Sequence, residues 1–322
     1  MSITSGKYIV LAVVLGFLLV VPFTGVYPIF MMKLLCFALF ATAFNLVLGY
    51  VGLLSFGHAA FFGMAAYFTG HMVKEWVFPT EIGILLGALG AGALGFVVAS
   101  LATRRSGIYF AMITLALAQM VFFFCVQAPF TYGEDGIQGI PRGTFLGIVD
   151  LSQINNMYYF VLGVCVLGFL AIYRTVHSPF GEVLKAIREN ETRVVSLGYN
   201  VTRFKVAAFT ISATISGLAG ATKSIVFQSA TLTDVHWTMS GEVVLMTLLG
   251  GMGTLFGPAA GAVVVVTLQN YLAGFGAWIT IITGSIFVAC VLMFRRGIIG
   301  ELDAYIGRRK AAPQAPAEPE KS

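Results

Sequence analysis

The sequence predicts an all-α polytopic membrane protein, a helical bundle of about ten transmembrane segments (eight to ten). Three observations carry this expectation. The 322 residues are 58% hydrophobic and 10% charged, with a mean hydropathy of +0.90, whereas a soluble domain carries about 25% charged residues. The apolar residues fall in long continuous runs without the alternation of barrel strands, so the runs read as helices. Lys and Arg gather at the ends of these runs and in one loop, as topology signals do. A soluble enzyme, a nucleic-acid-binding module and a disordered scaffold are thereby excluded, despite a net charge of +5.

A helix crossing the roughly 30 Å hydrocarbon layer uses about 20 apolar residues. Runs near this length occupy 8–27, 29–48, 54–73, 82–102, 107–128, 157–173, 205–227, 241–255, 258–274 and 277–294. The first has only Lys7 ahead of it and no small-residue cleavage site behind it, so it reads as a retained span. The second carries Lys33, placed to snorkel outward, and Asn45, suited to bonding between helices; Thr114 and Gln119 of the fifth are suited to the same task. The eighth and ninth are short and separated only by Phe256 and Gly257, which leaves open a re-entrant segment. Residues 1–307 form a single transmembrane domain on this reading, and the Pro-rich, polar stretch 308–322 a disordered tail.

With the N-terminus inside, 15 Lys and Arg fall on one face and 4 (Lys33, Lys74, Arg142 and Lys223) on the other. The positive-inside rule then predicts that both termini are cytoplasmic.

The long loop on the basic face, 174–204, has its own pattern. Ser178-Pro179 is a helix start, a capping hydroxyl followed by proline in the first turn. Phe180, Val183, Leu184 and Ile187 recur at helical spacing, with Glu182, Lys185, Arg188 and Glu189 on the other face, and Gly198 is placed as a helix stop. A connection that merely returns the chain needs about 4–6 residues. A two-faced helix in so long a loop reads as a docking surface for a cytoplasmic partner, or as an amphipathic helix lying on the headgroups.

An approximate internal repeat relates Leu48-Gly49-Tyr-Val-Gly52-Leu-Leu-Ser55-Phe-Gly57-His-Ala-Ala60 to Leu249-Gly250-Gly251-Met-Gly253-Thr-Leu-Phe-Gly257-Pro-Ala-Ala260. Glycine-interrupted apolar segments in two halves of a chain point to a transport path near the midplane. Close helix packing through small residues is the competing explanation. Both copies fall on the basic side of the predicted topology.

Glu242 opens the eighth segment, where a carboxylate needs a partner or a task. It could hold a helix terminus, bind the amino group of a solute, or pair with Lys223. Ser55 and His58 lie three residues apart, but no nucleophile elbow surrounds the serine and no orienting acid is evident, so His58 reads as a packing or capping residue. The four histidines are scattered, the four cysteines lie singly inside apolar runs, and no phosphate-binding loop is present. No metal site, no catalytic residue and no cofactor bound by this chain is expected.

Four stretches resemble the permease subunits of branched-chain amino acid ABC importers, within that family the LivM branch. They are 49–63 (Gly-Tyr-Val-Gly-Leu-Leu-Ser-Phe-Gly-His-Ala-Ala-Phe-Phe-Gly), 109–119, 178–199 beginning Ser-Pro-Phe-Gly-Glu, and 240–258 with Ser-Gly-Glu and Leu-Gly-Gly-Met-Gly-Thr-Leu-Phe-Gly-Pro. The resemblance implies a fold of the ABC importer permease type in the bacterial inner membrane, embedded in the lipid bilayer. It implies a second, related permease subunit, two cytoplasmic ATPase subunits that use the ATP, and a periplasmic binding protein delivering a neutral amino acid; it implies no nucleic-acid partner. It assigns ATPase coupling to Pro179, Gly181, Leu184, Ile187, Arg188, Glu189 and Gly198. The translocation path is expected at Asn45, Gly52, Ser55, Gly57, Gln119, Glu242, Gly250, Gly251, Gly253 and Gly257. Lys223 stands where a small or apolar residue is expected, which leaves urea, short amides or another amino acid open as the solute. An ion-coupled secondary transporter would place its ionisable groups in mid-membrane rather than near segment ends.

Overall fold

The computed structural model describes residues 16–23, 25 and 27–272, with isolated positions 274, 281–282, 284–285, 288 and 297. Half of the expected segment 8–27, most of 277–294 and all of the tail 308–322 lie outside the described residues.

After helical residues 16–20 and a 3-10 turn at Val21–Phe23, α1 (Pro28–Asn45) begins with proline at its first turn, where the missing N–H costs nothing, and passes into a π-helical stretch, Leu46–Val51. That stretch ends at Gly52, whose φ of 81° suits a residue without Cβ. Residues 52–57 are not helical, so the expected 54–73 segment starts four residues late, as α2 (His58–Lys74). The next helices are α3 (Thr80–Ala102), α4 (Ile108–Gln127) and α5 (Ile154–Val176). The long basic loop holds α6 (Pro179–Glu189) and α7 (Glu191–Ser196). Beyond it come α8 (Val201–Phe227), the single turn α9 (Leu232–Val235), α10 (Trp237–Gly250) and α11 (Gly257–Leu272).

Helix α8 is the axis of the fold, packed against α1, α2 and α3. Small residues allow it: a Cβ on Gly220 would collide with the Phe62 carbonyl of α2, and one on Gly95 of α3 with the Ala213 methyl. Such close contact replaces the hydrophobic drive that lipid cannot supply between helices. Helices α4 and α5 lie further out and expose apolar side chains such as Met112, Phe123, Leu167 and Leu170 to the surroundings.

Five described helical stretches are long and apolar enough to cross a membrane: Pro28–Val51, α3, α4, α5 and α8. This number leaves the expected count of about ten untested, because much of the segments 8–27 and 277–294 lies outside the described residues; three further segments are short for a local reason. The glycine-rich breaks leave α2, α10 and α11 with 17, 14 and 16 residues, about 21–26 Å at 1.5 Å per residue.

The end opposite the basic loop is capped by residues 128–153 and 228–236. Four two-residue strands depart from the all-α expectation there. β1 (Ile137–Gln138) pairs antiparallel with β4 (Ser229–Ala230), and β2 (Thr144–Phe145) with β3 (Val149–Asp150). Lys74 Nζ donates to the Gln138 carbonyl at 2.9 Å and Arg142 to the Val226 carbonyl at 3.0 Å, which ties α2 and α8 to this cap. From β4 the chain turns back into the bundle. A Cβ on Gly63 would lie 2.7 Å from the Val235 amide nitrogen, and Gly63 is about 16 Å along α2 from Lys74. Helix α10 therefore starts deep in the bundle, and α10 and α11 are two separate part-length helices joined at residues 251–256.

Candidate functional site

Helix α6 forms as its sequence dictates. The Ser178 hydroxyl accepts from the Gly181 amide at 3.4 Å, Pro179 occupies the first turn, and Glu182 sits at the positive end of the helix. Gly181, Leu184 and Ile187 are buried against the chain itself. A Cβ on Gly181 would strike the Val176 carbonyl at the end of α5, and Phe180 stacks on Phe204 of α8 with ring centres 5.5 Å apart. Asn190 caps α7, and the Glu191 carboxylate accepts from Lys205 of α8 at 2.8 Å through both oxygens. The buried Lys205, counted above as a topology charge, is thus half of an ion pair holding the loop to the bundle.

The exposed part of α6 reaches back to the breaks. Arg188 Nη1 donates to the Gly49 carbonyl inside the π-helical stretch. A Cβ on Gly52 would lie 3.2 Å from Arg188 Cγ, and one on Gly253 2.9 Å from its Nη1, so this side chain occupies the space between the two glycine-rich segments. Asn45 closes the arrangement. Its Oδ1 accepts from the Gly253 amide at 3.0 Å and its Nδ2 donates to the Thr254 carbonyl at 2.8 Å. The two copies of the internal repeat are therefore in contact, at the end where the basic loop lies.

Deeper in the bundle, the fully buried His58 is held between two serines. The Ser212 hydroxyl donates to the Ala43 carbonyl at 2.6 Å, so it accepts from His58 Nε2–H at 3.0 Å. His58 Nδ1 then accepts from the Ser55 hydroxyl at 3.1 Å, and Ser55 Oγ accepts from the Gly57 amide. The chain of bonds runs from α1 through α8 to the start of α2, with Phe44, Phe61 and Phe209 around the imidazole. Among the described residues no carboxylate bonds to it, and the bonds that are present bolt α1, α8 and the start of α2 together. Alongside, Ser240 of α10 accepts from the Ala59 amide at 2.9 Å, satisfying an orphan N–H of the first turn of α2.

Towards the capped end, Lys223 Nζ donates to both oxygens of Asp234 at 2.6 Å, with side-chain exposures of 12% and 2%. Of the three roles left open for Glu242, pairing with Lys223 is not the one seen: Asp234, on the turn that re-enters the bundle, takes Lys223. Glu242 lies instead within the influence of Gln269 on α11 and of the Lys33 charge. Among the described residues, no three His, Cys, Asp or Glu side chains are grouped to hold a metal.

Of the seven residues expected to meet an ATPase, Pro179, Arg188, Glu189 and Gly198 are exposed. Gly181, Leu184 and Ile187 face inward, because the apolar face of the amphipathic helix is already covered by α5 and the π-helical stretch. Of the expected path residues, Asn45, Gly52 and Gly253 meet around Arg188, while Gly250, Gly251 and Gly257 line the α10–α11 junction. Ser55 and Gly57 adjoin the His58 bolt. Gln119 is half-buried on α4, away from these breaks; Thr114 of the same helix is the residue that reaches them, accepting from the Phe56 amide at 3.2 Å. Ser212 and Asp234 were not singled out by sequence, and Ser240 entered only as part of the Ser-Gly-Glu stretch, without a role. Isolated small polar residues carry no pattern, and Asp234 lies in a loop where an acid is unremarkable.

The likenesses to known proteins run the same way. A family model described as branched-chain amino acid transport system, permease component, matches residues 26–294. The high-affinity branched-chain amino acid transport system permease protein LivM of Salmonella typhimurium is 27% identical over 278 residues, 79% of this chain and 65% of that protein. LivM of Escherichia coli is 26% identical with the same coverage. The ribose import permease protein RbsC of Bacillus subtilis is 31% identical over 170 residues, 50% of each chain. The chain thus spans 65% of the length of these two LivM proteins. No solved structure matches.

Proposed function

The chain belongs to the family of branched-chain amino acid transport permease components, and from that premise we propose that it forms half of the translocation pathway of an ABC importer for neutral, branched-chain amino acids. A second permease completes the pathway, a periplasmic binding protein delivers the solute, and two cytoplasmic ATPases drive the cycle. The basic end and both termini are cytoplasmic on this reading, in accord with the Lys and Arg distribution.

The observation that supports this most directly is the bond from Arg188 to the Gly49 carbonyl. A helix exposed to a partner on one face is bonded, through its own side chain, to the place where two interrupted helices meet. An ATPase that grips α6 through Pro179, Glu182, Lys185 and Glu189 pulls on Arg188, and Arg188 pulls on the π-helical stretch and the Gly253 turn. The buried Gly181, Leu184 and Ile187 make α6 move with the bundle instead of peeling from it. Solute shifts such an equilibrium only through different affinity for the two states, so selectivity resides mainly in the binding protein. The Lys223–Asp234 pair favours an uncharged or zwitterionic solute over an ionic one, because the cation that argued otherwise is already neutralised.

Uptake of radiolabelled leucine, glutamate and urea, measured with the gene deleted and restored beside its ATPase partners, tests the proposal. Leucine uptake is expected to fall on deletion and return only with the ATPases present. Unchanged leucine uptake with lost urea uptake overturns the solute and keeps the coupling; full leucine uptake by an Arg188→Ala, Glu189→Ala protein overturns the coupling.

A further inference from the structure

A groove of about 670 Å³ runs between the C-terminal half of α3 and the first turns of α8, on a part of the surface away from the glycine-rich breaks. Its walls are Phe96, Val206, Ala207 and Ile211, and its mouth at the basic end carries Arg104 and Arg203. Phe96 is 56% exposed, and both arginines are exposed, so neither the apolar wall nor the charges are covered by the described residues. Among the described residues, neither arginine has an acidic partner within salt-bridge distance. Arg105, next to Arg104 and also exposed, adds to the positive charge of this end.

We propose that this groove binds an anionic phospholipid, its phosphate on Arg104 and Arg203 and its acyl chain along Phe96, Val206, Ala207 and Ile211. Geometry supports the match. From Thr202 to Ile211 on α8 the wall rises about 13 Å along the helix axis, and Arg104 lies two residues past the end of α3, which carries Phe96. That depth takes an acyl chain from the headgroup level into the hydrocarbon. A guanidinium offers a forked set of donors that suits phosphate oxygens, and two of them at one mouth select a negative headgroup over a zwitterionic one. Basic pockets between membrane helices on the cytoplasmic side recognise anionic headgroups by this chemistry. The occupant sits where α3 meets α8, the helix on which the coupling loop is anchored through Lys205 and Glu191. A bound lipid therefore clamps α3 to α8 without touching Arg188, which does not line the groove. The inference does not depend on which solute is carried.

The test uses the purified full-length chain in detergent, titrated with phosphatidylglycerol or phosphatidylcholine of the same acyl composition and read by native mass spectrometry. Two arginines at the headgroup level predict a preference of about 30-fold for phosphatidylglycerol. Arg104→Gln with Arg203→Gln reduces the preference to less than about threefold, while Arg104→Lys with Arg203→Lys retains most of it and controls for folding. Ala207→Trp fills the groove and lowers retention of both lipids. Equal binding of the two lipids by the unmodified chain, or an undiminished preference in the Gln variant, overturns the proposal. So does a disulfide formed under added oxidant between Ile211→Cys and a cysteine introduced into a second permease in the membrane, because the groove would then hold a protein helix.

Discussion

Arg188 of α6 donates to the backbone carbonyl of Gly49, the point at which α1 has given up α-helical geometry for a π-helical turn. A π-helical stretch leaves carbonyls less well matched within the helix than an α-helix does, and a long cationic donor from another element takes one of them. Removing that donor gives the most direct test of coupling. Arg188→Ala is expected to lower solute uptake about tenfold or more, a charge-assisted bond contributing about 1.5–3 kcal/mol, with membrane insertion unchanged. Arg188→Lys keeps the charge but loses the guanidinium fork and should fall between the two. Uptake assays normalised to membrane protein content check both.

Asn45 uses its amide in both senses, accepting from Gly253 and donating to Thr254. Asn45→Asp can satisfy only the first and sets a second oxygen against the Thr254 carbonyl; Asn45→Leu satisfies neither. Each backbone group stranded without a partner costs about 1–3 kcal/mol. Thermal denaturation of the purified protein should therefore rank the native chain above both variants, and a Leu variant as stable as the native chain would contradict the role.

Gly250 and Gly261 bring α10 and α11 into backbone contact: a Cβ on Gly250 would strike the Gly257 carbonyl, and one on Gly261 the Met246 carbonyl. Overpacking of this kind costs about 1–3 kcal/mol or more. Gly250→Ala and Gly261→Ala are expected to lower the yield and thermal stability of folded protein. Gly163→Ala, in α5 with nothing within 4 Å of its Cβ, should be neutral or slightly stabilising, since Ala is favoured over Gly in a helix by about 1 kcal/mol.

Lys223 and Asp234 tie the end of α8 to the segment that re-enters the bundle. Breaking a buried pair from one side leaves an uncompensated charge at about 3–5 kcal/mol, whereas replacing both partners with apolar residues is often neutral. Lys223→Met and Asp234→Leu should each destabilise the protein strongly, and the double variant should recover most of the loss. Retained leucine uptake in the double variant would show that the pair holds the fold and does not carry the solute.

The amphipathic helix over 179–189 was legible because its start and apolar face are written locally, in Ser178-Pro179 and in Leu184 with Ile187, whereas its end at Asn190, ahead of the stop expected at Gly198, was not. The direction of that face was not legible. Leu184 and Ile187 suit an ATPase groove and the chain's own core equally well, and only packing decides between them. The glycine-rich repeat could be seen, but its meaning could not, since close packing and helix interruption draw on the same small residues. The cap strands were invisible, because two-residue ladders have no periodicity to read.

By itself the sequence determined that the chain crosses a membrane, roughly where each helix lies, which end is basic, and where the helices are interrupted. These follow from hydrophobic transfer and from the backbone freedom of glycine, both properties of short stretches of chain. Only the tertiary structure decided that the interruptions meet, that Arg188 and Asn45 join them, and that Lys223 takes Asp234 as its partner. Those pairings link residues far apart in the chain, and their strength comes from burial and exact donor–acceptor geometry, which exist only once the helices have packed.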